Sequence, residues 1–174
     1  MLNATIMIKK NFLINSFIIF IIFLIDRISK IYVIYLDNKF NSAEIFSSKF
    51  LNVYLIWNKG IAFGLFSADN NNFYNFLTIF IFIIILIIVY MIFKSERVKR
   101  YALIMILGGA LGNLFDRIYY KAVPDFLDFH IGEFHWFIFN FADVFITSGV
   151  FFMILIEFIG NNKKREIWKT LKFY

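Results

Sequence analysis

The chain has no cysteine among its 174 residues. That excludes disulfides, a thiol nucleophile and thiolate metal sites, and leaves the redox compartment unmarked. Proline occurs once, at Pro124. No linker, internal repeat or second domain is visible. What fills the chain instead is apolar: 61% of residues are hydrophobic and the mean hydropathy is +0.74. A soluble domain would be nearer half apolar. The composition implies a membrane protein, with one domain over residues 1–174. The net charge is +6. In a soluble chain this would raise nucleic acid as a partner. Here the basic residues gather at the ends of apolar runs, which points to anionic lipid head groups and not to nucleic acid.

Four apolar runs are expected to form transmembrane helices over about 12–36, 73–93, 101–119 and 139–159. Each approaches or reaches the ~20 residues that cross a bilayer core. A signal peptide is the rival reading of the first run. Its apolar part should span only ~7–15 residues and end at a small-residue cleavage site. This run is longer, and no Ala-x-Ala follows. Lys and Arg set the orientation. Lys9 and Lys10 precede the first run, Lys94, Arg97, Lys99 and Arg100 join the second to the third, and five basic residues follow the fourth. The connections 37–72 and 119–138 are balanced or acidic. The positive-inside rule then puts both termini in the cytoplasm and the two long connections outside.

The first outer connection, about 37–68, is β-rich. Residues 49–57 partly alternate, Asn58-Lys59-Gly60 reads as a turn, and 61–66 as a return strand. The expectation is an all-α membrane protein carrying a small extracytoplasmic β-sheet, or cradle. The second connection, about 120–138, mixes acids with Phe126, Phe129, Phe134, Trp136 and Phe137. It is expected to be a short interfacial segment.

Polar side chains cluster at one depth. Asp116 lies about 15 residues into the third helix, or roughly 22 Å from its cytoplasmic start. Asn140 and Asp143 open the fourth helix from the outer side, and Asp26 and Lys30 lie late in the first. Gly109, Asn113 and Asp116 share one face at i, i+4, i+7, and Asn140, Asp143 and Thr147 share another by the same spacing. Asp26 and Lys30 stand at i, i+4 in the favourable order for a pair. Gly108, Gly109 and Gly112 would admit a close backbone neighbour. Buried acids in a bilayer cost roughly 2.5–3.5 kcal/mol each, so they are functional candidates by default.

Each feature has a plainer reading. Asp26 and Lys30 can form a buried structural pair, and Asp116 can pair with its neighbour Arg117 at the helix end. Asn58 and Gly60 can be turn residues alone. His130 and His135 with Asp128 and Glu133 match no zinc spacing and read as a solvated interfacial loop. Ser29 and Lys30 are adjacent and diverge by about 100° on a helix, and Ser148 has no base beside it. Carboxylates remain. Two acids sharing a proton can activate water and protonate a leaving group. The candidates are Asp116, Asp125, Asp128 and Asp143. Pro124 stiffens the approach to Asp125 and mildly favours it over Asp128. An ion pathway would spread polar residues through the membrane depth, whereas the second run and the inner halves of the others are almost wholly apolar apart from Glu157.

Five stretches taken together resemble the lipoprotein signal peptidase family, also called signal peptidase II. They are Asp26-Arg27-Ile28-Ser29-Lys30, then Asn58-Lys59-Gly60-Ile61-Ala62-Phe63-Gly64, then the run from Gly108 through Asn113 to Asp116-Arg117, then Val123-Pro124-Asp125-Phe126, and last Phe139-Asn140-Phe141-Ala142-Asp143. The resemblance implies an aspartic endopeptidase whose catalytic pair is Asp125 and Asp143. It implies that Asn58, Gly60, Asn113, Arg117 and Asn140 bind substrate or support the dyad, and that Asp26 and Lys30 are a structural pair. It implies no metal or other cofactor. The substrate would be a diacylglyceryl-prolipoprotein, cut before its lipid-modified cysteine at the outer face. A monomer in contact with membrane lipid, multi-pass in a bacterial inner membrane, is expected. One departure is Pro124, where the family commonly has a β-branched residue. It restricts Val123 and bears on the mobility of that loop.

Overall fold

A computed structural model describes residues 2–40, 44–60, 71–95 and 97–171. Four helices carry most of the chain: α1 (Leu2–Phe40), α2 (Asn71–Lys94), α3 (Arg97–Tyr119) and α4 (Phe141–Leu171). Four strands, β1 (Phe46–Ser47), β2 (Leu51–Asn58), β3 (Val123–Ile131) and β4 (Phe134–Phe139), form one antiparallel sheet in the order β1-β2-β3-β4. Three stretches are long and apolar enough to cross a membrane: Asn72–Lys94, Val98–Tyr119 and Phe141–Gly160.

α3 is the central helix. Of its spanning window 61% is buried by protein, against 22% in α2 and 11% in α4. Phe76, Phe80, Phe93, Phe151 and Phe158 on the outer helices point away from the protein, as lipid-facing side chains should. The inner packing is aliphatic, with Ile85, Ile88 and Ile92 of α2 set against Leu103, Ile104, Leu107 and Leu114 of α3. Glycine decides how close α3 comes to its neighbours. A methyl on Gly112 would collide with the Asp26 carboxylate of α1, and one on Gly109 with the backbone oxygen of Ala142 in α4. The close approach expected of these glycines is therefore made on two sides at once.

The ends of the elements aim the site. α3 stops where Lys121 takes a left-handed φ of 58°, with Tyr120 N–H donating to Asp116 O at 2.7 Å. A non-glycine residue there costs about 1–2 kcal/mol, and the turn sends the chain straight into β3. β3 and β4 meet through a two-residue turn whose first residue, Gly132, also has φ 58°, a position glycine fills without a Cβ clash.

One expectation about the long connections needs correction. The second connection is not a separate interfacial segment but a hairpin, β3–β4, built into the same sheet. Its aromatic residues read as interfacial in sequence, yet β3 pairs antiparallel with β2. β2 therefore finds β1 and β3 as neighbours, with Trp57 opposite Pro124 and Asn58 opposite Val123. The return strand expected over 61–66, and Ile61 to Gly64 of the second motif, lie outside the described residues. The helices also run past the expected ends: α1 by several residues at both, and α4 at its C-terminal end.

Candidate active site

Asp125 leads β3 beside the end of β2, and Asp143 sits in the first turn of α4. Both line one cavity of ≈ 240 Å³, together with Asn58, Asn113 and Arg117. Ile81 of α2, Ala110 of α3 and Ile146 of α4 make its apolar wall. Sequence distance is bridged because β3 pairs with β2 while α4 packs on α3.

Three asparagines dress the two acids. Asn140 Nδ2 donates to Asp125 Oδ1 at 2.6 Å and Asn58 Nδ2 to Asp125 Oδ2 at 2.9 Å. Asn113 Nδ2 donates to Asp143 Oδ1 at 2.8 Å, and the Asn140 backbone N–H reaches Asp143 Oδ2 at 3.2 Å. Asn140 is also the N-cap of α4, since its Oδ1 accepts the Asp143 N–H at 3.1 Å. The reciprocal bonds of residues 140 and 143 form a capping box. The fourth helix thus starts after Asn140 rather than at 139, and the cap itself points Asp143 into the cavity.

Asp125 is only 4% exposed. Burial pushes its carboxyl up to about 7, helped by the like charge of Asp143 and opposed by the Asn58 and Asn140 bonds. Desolvation disfavours the ionised form, and a second acid nearby does the same. Arg117 does not neutralise either acid by direct contact. Its Nη2 donates to Gly60 O at 2.9 Å and its Nη1 to Asn113 O at 3.3 Å. It braces the end of β2 against α3. Gly60 contributes backbone only, its N–H donating to Asn58 Oδ1 at 2.8 Å.

Asp116 belongs elsewhere. The expected pairing with Arg117 gives way to a buried ion cluster with α1. Asp116 Oδ2 lies 2.7 Å from Lys30 Nζ and Oδ1 2.6 Å from Arg27 Nη2. Asp26 lies 2.8 Å from Lys30 and 3.1 Å from Arg27. Asp26 also accepts the Ala142 N–H at 3.1 Å, so the expected structural pair anchors the first turn of α4 as well. Arg27 carried no role in the sequence reading. The available signal was a second cation beside an acid in an apolar run.

Asp128 likewise stands apart from Asp125 and Asp143. It meets His135 Nδ1 at 2.8 Å and lies 3.4 Å from the Tyr54 hydroxyl. Burial, then the Asp128 charge, raises Tyr54 above its ordinary value and keeps it a neutral donor. His130 stacks on His135 at 5.1 Å. These side chains tie strands together rather than forming the solvated loop that was expected. Also unforeseen was Tyr74 of α2, whose hydroxyl donates to Arg117 O at 3.1 Å.

Comparison with known proteins agrees with this arrangement of elements. The family model described as signal peptidase (SPase) II matches residues 18–159. A lipoprotein signal peptidase of Pelagibacter ubique (strain HTCC1062) is 52% identical over 155 residues, covering 89% of this chain and 93% of the relative. One from Francisella tularensis subsp. novicida (strain U112) is 40% identical, covering 76% and 86%. A solved bacterial membrane enzyme, determined in meso at 2.3 Å, superposes with a TM-score of 0.69 at 27% identity, covering 86% of this chain and 90% of that one. A second, at 1.9 Å, gives 0.67 at 30% identity, covering 82% and 90%. With a matched core from the first helix to the fourth and a relative identical at half its positions, the chain belongs to the signal peptidase II family.

Proposed function

We propose that Asp125 and Asp143 are the catalytic acids of this protein. As a family member it is a protease, and it removes signal peptides from prolipoproteins. The observation that carries the assignment is the cavity shared by two acids whose oxygens meet neutral amide donors and, among the described residues, no paired cation. Such a pair holds one proton near neutral pH and titrates as a unit. The ionised member takes a proton from a water as its oxygen attacks the scissile carbonyl carbon. The protonated member donates its proton to the carbonyl oxygen, giving a tetrahedral diol. As the C–N bond breaks, the other member passes the proton it took from water to the leaving amine, and a diol hydroxyl returns a proton to the first. Asn58, Asn113 and Asn140 hold the acids, while Arg117 and Gly60 hold β2 to α3.

The bond cut precedes a cysteine that already bears diacylglycerol. The lipid stays in the outer leaflet, and the depth of the acids matches that position. α1 is the fourth span. Phe12, Leu13, Phe17 and Phe20 are exposed along it, as on the other lipid-facing helices. With four spans and the basic residues at one end, both termini are cytoplasmic in the bacterial inner membrane and the sheet lies outside. The enzyme works as a monomer, with membrane lipid around α2 and α4.

The test is cleavage of a lipid-modified prolipoprotein by Asp125→Asn and Asp143→Asn, with folding checked by thermal unfolding in detergent. Both variants are expected to lose processing. Wild-type rates from either folded variant remove that acid from the mechanism. Orientation is tested in the naturally cysteine-free chain. A cysteine at Glu133 should react with an impermeant thiol reagent added outside, and one at Ser95 only after the membrane is opened.

A further inference from the structure

An asparagine amide is ambivalent. Turned over, it offers an acceptor where it had offered a donor. All three amides on the dyad must present their NH2, and each is held that way by a group that can only donate. The Gly60 N–H holds Asn58 Oδ1 at 2.8 Å, and the Asp143 N–H holds Asn140 Oδ1 at 3.1 Å. Both are backbone groups. The third is a side chain from another helix: Lys30 Nζ donates to Asn113 Oδ1 at 2.8 Å. Lys30 is fully buried. Its other bonds go to Asp26 Oδ2 at 3.0 Å and Asp116 Oδ2 at 2.7 Å. An ammonium has three protons, and all three are committed, so it has no second arrangement to adopt.

We infer that Lys30 is a positioning residue for the dyad, locking the Asn113 amide with its NH2 turned to Asp143. This rests on the reading of Asp143 as a catalytic acid. Without the lock, Asn113 can turn its oxygen toward the Asp143 carboxylate, acceptor against acceptor, and the acid loses one of its two fixed donors. The competing role for Lys30 is charge balance alone. The two roles separate because the cluster holds a second cation: Arg27 Nη2 lies within 3.1 Å of Asp26 and 2.6 Å of Asp116. Replacing Lys30 and Asp116 together removes one charge of each sign and leaves the Asp26–Arg27 pair.

The experiment compares Asp116→Asn with Lys30→Met/Asp116→Asn in the full chain in detergent micelles. One readout is the side-chain amide of Asn113 in enzyme labelled with 15N-asparagine, identified by its loss in Asn113→Ala. The other is prolipoprotein cleavage, with kcat and KM separated. The double variant should lose the exchange-protected Asn113 amide. Its kcat should fall at least about tenfold below Asp116→Asn, the weight of a buried hydrogen bond to a charged group, with KM little changed. Adding Asn113→Ala to it should cost less than about threefold more, because coupled residues are not additive. An Asn113 amide unmoved by loss of Lys30, or full multiplicative loss on adding Asn113→Ala, overturns the lock and leaves charge balance as its role. Wild-type cleavage by Asp143→Asn would instead overturn the dyad reading, so the two failures are told apart by different variants.

Discussion

Two groups of acids, buried except for the half-buried Asp143, stand side by side in this protein and are treated in opposite ways. Asp26 and Asp116 meet Lys30 and Arg27 at 2.6–3.1 Å. Among the described residues, Asp125 and Asp143 meet only amide N–H groups. The first group is electrically closed, two carboxylates against two cations in direct contact. The second leaves negative charge unpaired in a desolvated place, so a proton is the cheapest partner. The difference separates structure from chemistry: a buried acid with a salt bridge holds helices together, and one without is free to exchange its proton.

The largest expected effect breaks the second group. Asp125→Asn or Asp143→Asn should cost roughly 10²–10⁴-fold in cleavage, the usual weight of a general acid or base. The same change should stabilise the fold at alkaline pH. Asp125 has a folded value near 7, above about 3.9 when unfolded. Between these values the unfolded chain binds fewer protons, so stability falls as pH rises from about 4 to about 7 and is level above. Thermal unfolding at pH 8 should therefore show Asp125→Asn melting higher than the wild type, while at pH 4 the gap closes.

Next in size is a change that breaks the first group. Gly112→Ala drives a methyl into Asp26, which must leave Lys30 or push α1 from α3. Overpacking of this kind costs about 1–3 kcal/mol, read as a lower melting temperature. A melting temperature equal to wild type would mean that α1 yields freely and that the contact is not tight.

A smaller effect sharpens the comparison. Cleavage should decline as pH rises through about 7, where the proton on the dyad is lost. Asn58→Ala removes a bond that favours the ionised Asp125, so the decline should move to higher pH. A pH–rate profile decides it, and an unmoved alkaline limb would detach Asn58 from Asp125. The smallest effect is expected at His135→Gln. His135 is half exposed beside Asp128, and exposed pairs contribute about 0–1 kcal/mol. Its melting temperature and cleavage should stay near wild type.

Much of the site was legible along the chain because membranes make polar residues expensive. Asp26, Lys30, Asn113, Asp116, Asn140 and Asp143 stood out against apolar runs, and helical phase put them on inner faces. The sheet was half legible. β2 declared itself by its alternation, but β3 and β4 were hidden because interfacial aromatics and strand aromatics look alike in sequence. Asp116 was misassigned to Arg117 because adjacency in sequence suggested a contact that a helix does not make: neighbours diverge by about 100°, and each found its partner elsewhere.

The sequence by itself determined the membrane character, the apolar runs and the short list of four acids. Periodicity and transfer cost are local properties, and the chain carries them openly. Only the tertiary structure decided which acids share a cavity and which are neutralised. That choice depends on α3 approaching α1 and α4 through its glycines, and on β2 receiving β3. Burial and the nearest charge are set by neighbours far away in the chain, and they determine whether a carboxylate is a brace or a reagent.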